Sequence, residues 1–165
     1  MPCFINNPEN AGKLPARNIK TKENGVVEHI KKTFPAFDWI HDKRVQDGCS
    51  KKRPDLLLDL GSHIIIVEID ENRHSTYPES CEAKRIQTIA EDTGFRPIVF
   101  IRFNPDAYKT EDGKRITSCW KISRGVCVIS KVGEWKMRLD TLVKSIKQWC
   151  ETGVDVPVTI DELFF

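Results

Sequence analysis

Residues 53–74 read RPDLLLDLGSHIIIVEIDENRH. Two apolar runs, 54–60 and 63–70, flank Gly61-Ser62, a pair suited to a tight hairpin turn. With those two residues as the turn, Leu60 pairs with His63 and partner numbers sum to 123. Asp55 then stands opposite Glu68, and Asp70, two residues further on, shares Glu68's face. A four-residue turn on the same centre keeps this pairing. A three-residue turn breaks it. The alternative to a joint site is that Asp70 is a strand-end solvent residue and Asp55 caps the loop after Arg53. Directly opposed like charges repel, and a buried carboxylate is costly unless something offsets its charge. A divalent cation held by Asp55, Glu68 and Asp70 is the simplest offset. Hard oxygen donors select Mg²⁺ or Mn²⁺, and an incomplete protein shell leaves positions for water and phosphate. Asp59, on the same face but nearer the turn, reads as an exposed partner for a lysine.

Working outward, 21–34 places Val26, Val27, Ile30 and Phe34 on one helical stripe, with Thr21 as N-cap and Pro35 as stop. Gly25 weakens that helix. The segment 37–45 reads as a strand ahead of a basic loop. Residues 81–93 read as a helix with Ala83, Ile86, Ile89 and Ala90 inward and Gly94 just past its end. The next strand is 96–103, and a strand–helix–strand unit of this length implies a parallel pair with a right-handed crossover. Segments 115–121 and 125–132 suit a hairpin about Arg124-Gly125. Trp135, Leu139, Leu142, Val143, Ile146 and Trp149 mark a long amphipathic helix over 134–150. The terminal run VPVTIDELFF is expected to pack at home.

The expected fold class is therefore α/β, with a helix, three strands, a helix and a strand around a mixed sheet, plus a C-terminal hairpin and long helix. Residues 1–20 read as a flexible arm and 21–165 as one domain, with its core over 21–110 and an extension over 111–165. The net charge is only +2, but Lys31, Lys32, Lys43, Arg44, Lys51, Lys52 and Arg53 cluster ahead of the acids, as a phosphate-contacting surface would. The N-terminus has no apolar signal-peptide core and no run is long enough to span a bilayer, so the chain is expected to stay inside the cell. The six cysteines are scattered without C-x-x-C spacing and read as reduced thiols, and a zinc site from some of Cys49, Cys81, Cys119 and a histidine, lacking ligand spacing, ranks below Mg²⁺ or Mn²⁺.

These residues also carry a resemblance. The element order, with PD opening the second strand and VEID closing the third, resembles the PD-(D/E)xK nuclease superfamily, whose fold is restriction-endonuclease-like. More narrowly, IIIVEIDENRH followed by CEAKRIQTIAEDTGFRPIVFIRFNPD looks like the branch of very-short-patch-repair (Vsr-like) and DUF559 endonuclease-like proteins. Similar chains are uncharacterised proteins of large eukaryotic DNA viruses and algae, which would place this one in the cytoplasm or nucleus of a host cell. The resemblance covers about residues 21–110. It implies metal-dependent hydrolysis of phosphodiester bonds, with Asp55 and Glu68 matching the family's metal carboxylates. Asp70 stands where the wider superfamily has lysine. Repair-type relatives use an Asp and His combination, which His74 matches, and the family's first-helix glutamate matches Glu23. Helical angles independently put Glu23 on the Val26/Ile30 face.

The chemistry expected from this set is a metal-polarised phosphate attacked by water, with His74 taking the proton at its ordinary pKa of about 6.5. Lys84 and Arg85, early in the following helix, would neutralise the phosphate. Arg73 and Tyr77 lie in the loop that would approach DNA, and Arg102 and Asn104 end the fourth strand near the same edge. The expected activity is that of a DNA endonuclease, nicking or mismatch- or structure-directed, working as a monomer or homodimer. Two alternatives stand beside it: a homing-type endonuclease and a non-catalytic nucleic-acid-binding module. RNA ranks below DNA because no aromatic β platform is evident.

Overall fold

The computed structural model describes residues 21–41, 54–71 and 79–165. Helix α1 (Thr21–Thr33) precedes three antiparallel strands, β1 (Ile40–His41), β2 (Leu56–Asp59) and β3 (Ile64–Ile69). Helix α2 (Glu79–Asp92) then leads into β4 (Ile98–Phe103), which lies parallel to β3. Two small ribbons follow, β5 (Tyr108–Lys109) with β6 (Arg115–Ile116), and β7 (Trp120–Ser123) with β8 (Val126–Ile129). Helix α3 (Val132–Glu151) and strand β9 (Val158–Leu163) complete the chain. The main sheet runs β1-β2-β3-β4-β9, antiparallel on one side of β3 and parallel on the other. Among the described residues no helix is long and apolar enough to cross a membrane.

Every residue of β3 is buried, as expected of a central strand covered on both faces. Its pleat sorts side chains into two cores. Ile65, Val67 and Ile69 pack with Leu56, Leu58, Val99, Ile101 and Phe103 under α1 and α3. Ile64 and Ile66 pack with Ile98, Phe100 and Ile89 under α2. The hairpin between β2 and β3 has the expected register, Leu56 opposite Val67 and Asp59 opposite Ile64, and Leu60 N–H donates to the His63 carbonyl at 3.1 Å to close the turn.

The steps from β3 to β4 and from β4 to β9 run the same way across the sheet, while α2 and α3 lie on opposite faces. The two crossovers therefore have opposite hands. A right-handed β3–α2–β4 unit leaves the long β4–β9 connection, which carries both ribbons, outside the usual rule.

Several expectations change in detail. Of the strand expected over 37–45, Ile40–His41 form β1, Phe37 and Trp39 instead join Phe34 in an aromatic cluster, and 42–45 lie outside the described residues. The strand expected over 115–121 divides between two ribbons, broken where buried Cys119 accepts Ser130 N–H at 2.7 Å. Ala83 is exposed rather than inward. The C-terminal run does pack at home, but as β9, which adds a fifth strand from outside the 21–110 core.

Candidate active site

The two faces of the sheet decide which polar side chains meet. Continuing the β2–β3 register past Leu56↔Val67 brings Asp55 opposite Glu68, on the α2 face. Across the parallel half, Glu68 aligns with Arg102 and Arg102 with Glu162. Asp70 lies just beyond the end of β3 on the same face, its N–H donating to the Phe103 carbonyl at 2.8 Å. A polar row thus crosses the C-terminal ends of three parallel strands, the usual place for a site in an open α/β sheet.

The contacts within this row are specific. Asp55 Oδ2 accepts the Ile69 N–H at 2.7 Å, which fastens the start of β2 to the end of β3. Arg85 of α2 reaches down to form an ion pair with Glu68. Arg102 Nε donates to Asp70 Oδ2 at 2.7 Å and its Nη1 to Glu162 Oε1 at 3.0 Å, while its guanidinium lies 5.1 Å from the Phe165 ring centre. Glu68 is the buried member, and burial pushes its carboxyl up to about 8. Arg85 opposes that rise, and the negative charges of Asp55 and Asp70 add to it.

Of the residues expected at a site, Asp55, Glu68, Asp70 and Arg85 are brought together. Glu23 is not with them. It sits on α1, against the opposite sheet face, where its Oε1 is 3.7 Å from His41 Nε2. Lys84 is exposed on α2, as its neighbour Arg85 turns inward. Lys51, Lys52, Arg53, Arg73, His74 and Tyr77 lie outside the described residues. Asn104 serves the backbone instead, donating to the Ala107 and Phe164 carbonyls at 3.2 and 2.9 Å. Asp59 has its cation, but it is Arg96 in a two-pronged contact at 2.6 and 2.8 Å rather than a lysine. The sequence reading missed Glu162. The alternation of Val158, Ile160 and Glu162 in β9 was the available signal, and the acids within it concealed a strand.

The donor set suits a hard divalent cation in kind: three carboxylates on one face, one of them buried with its charge incompletely offset. In the described side-chain conformations, however, each of the three is taken by a protein donor. Among the described residues no group of three His, Cys, Asp or Glu is arranged to hold an ion. Coordination would require Glu68 to turn from Arg85 and Asp70 from Arg102. No family model matches the chain, and no curated protein matches it.

Proposed function

We propose that the protein is a metal-dependent endonuclease that hydrolyses phosphodiester bonds in DNA, on a restriction-endonuclease-like scaffold. The observation that carries this reading is the carboxylate row: Asp55, Glu68 and Asp70 gathered on one sheet face beside two arginines. A bound Mg²⁺ or Mn²⁺ would polarise the scissile phosphate and acidify a coordinated water. Glu68 and Asp70 would hold the ion, and Asp55 would fix the distance between them through its bond to the Ile69 N–H. Arg85 and Arg102 would pass from their carboxylates to the phosphate oxygens, since a guanidinium fork fits either anion. His74 remains the candidate to accept a proton from the attacking water.

One observation favours a second reading, a non-catalytic nucleic-acid-binding module. Arg85 and Arg102 already pair with Glu68 and Asp70, so the row also makes sense as a polar strand-end lock. Cleavage of supercoiled plasmid and of a mismatched duplex with Mg²⁺ or Mn²⁺ separates the two. Native protein should cut, while Glu68→Ala and Asp70→Asn, checked for folding by circular dichroism, should not. DNA binding without cutting, or equal cutting by the variants, would remove the nuclease reading.

A further inference from the structure

Residues 114–133 contain Lys114, Arg115, Lys121, Arg124 and Lys131 and no acidic residue, within a chain whose net charge is only +2. This stretch forms the β7–β8 ribbon and its flanks. The ribbon is anchored at its root: Trp120 packs edge-on against Trp135 with ring centres 5.1 Å apart, and the Cys119 carbonyl accepts the Ser130 N–H. At its tip Ile122, Ser123, Arg124 and Val126 are all exposed. Register places Trp120, Ile122, Cys127 and Ile129 on the face toward the body and Lys121, Ser123, Val126 and Val128 on the face away from it. Arg124 and Gly125, both at positive φ, make the tight two-residue turn that suits a twisted ribbon.

The arginines divide by location. Arg85, Arg96, Arg102 and Arg138 are each held by a carboxylate or a backbone carbonyl. The side chains of Arg115, Arg124 and Lys121 have no hydrogen-bond or ion-pair partner among the described residues. The ribbon stands past the C-terminal ends of β3 and β4, on the α1 and α3 side of the sheet rather than the α2 side that carries the carboxylate row. Cys127 of β8 is close enough to Lys22, Glu71 and Asp106 to feel their charges, and Glu71 directly follows Asp70.

We propose that the β7–β8 ribbon engages duplex DNA, its strands in the major groove and Lys121 and Arg124 on the flanking phosphates. This rests on the nuclease reading above and names the form of its substrate. Two strands ~4.8 Å apart, with side chains, fill a groove about 12 Å wide. The deep, narrow major groove of A-form RNA does not admit such a ribbon.

The test is fluorescence anisotropy of the full chain, with Ca²⁺ in place of Mg²⁺, on a labelled DNA duplex and an RNA duplex of the same sequence. Paired cleavage assays use Mn²⁺. Lys121→Gln with Arg124→Gln should weaken DNA-duplex binding by about tenfold or more, and should flatten the salt dependence by nearly two phosphate contacts' worth of slope. The RNA duplex should bind native protein at least about tenfold more weakly. Unchanged affinity in the double variant, or equal affinity for the two duplexes, overturns the ribbon proposal even if native protein cuts DNA. Lost binding in the variant with no cleavage by native protein upholds the ribbon and removes the catalytic reading. Native protein that neither binds nor cuts either duplex overturns both.

Discussion

Glu68 and Arg85 meet as an ion pair between β3 and α2, and the carboxylate lies deeper than one arginine can offset. Burial raises the Glu68 carboxyl from 4.5 to about 8 in the folded protein. Between those values the folded state holds a proton that the unfolded chain has lost, so stability must fall as pH rises. In metal-free protein this loss should appear between pH 5 and 8 and amount to at most about 4 kcal/mol. Urea unfolding across that range measures it. Glu68→Gln keeps the shape without the titration and should flatten the profile, and a native profile already flat would contradict the burial argument.

Metal should stabilise what it binds. If Glu68 and Asp70 hold Mn²⁺, saturation at a hundred times the dissociation constant adds about 2.7 kcal/mol. For a domain of this size that is a rise in Tm of roughly 5–10 °C. Glu68→Gln and Asp70→Asn should each lose most of that rise while leaving the metal-free fold intact. A rise of equal size in all three proteins would put the ion elsewhere.

Arg138 carries a charge with no exposure at all. Its Nη1 donates to the Asp106 carbonyl and its Nη2 to Glu134 Oε1, both at 2.6 Å, and its guanidinium lies 4.9 and 5.3 Å from the Tyr108 and Phe164 ring centres. It ties α3 to the β4–β5 connection and to the end of β9. Arg138→Met keeps the stem but removes the donor to the Asp106 carbonyl and the nearer of Glu134's two cations, which should cost about 3 kcal/mol. Arg138→Lys should recover only part, because an ammonium can neither fork nor stack in the same way. Urea midpoints report both, and a loss under about 1 kcal/mol for Arg138→Met would make the network incidental.

The hairpin register was legible because its signal is local: a two-residue turn and strict alternation fix which acids oppose which. The α2 termination was legible for the same reason, in that Gly94 and Phe95 N–H groups donate back to Glu91 and Ala90 as a Schellman ending. The partners of the acids were less so. Arg102 reaches Asp70 only because β4 aligns with β3, and Glu162 joins only because β9 adds beside β4, pairings that span 32 and 60 residues. Nothing in the neighbouring residues reports contacts of that range. Arg138 was hidden differently, since it interrupts an apolar stripe on α3 and its cavity is built from three other segments.

Gly25 and Gly94 make opposite predictions, one inside a helix and the other past a helix end. Gly25 sits inside α1 at ordinary helical φ, and a Cβ built there meets Trp120 Cη2 at 3.8 Å, an ordinary contact. Gly25→Ala should therefore stabilise the fold by about 0.8 kcal/mol through helix propensity alone, raising Tm by roughly 2–3 °C. Gly94 lies past the end of α2 at φ +68°, in open space. Gly94→Ala has nothing to collide with except its own backbone, and the left-handed conformation should make it about 1 kcal/mol less stable. Thermal melts of the two variants test both claims. A loss at Gly25 would mean that α1 approaches Trp120 more closely than the contact distance allows, and the root of the β7–β8 ribbon would then depend on that glycine.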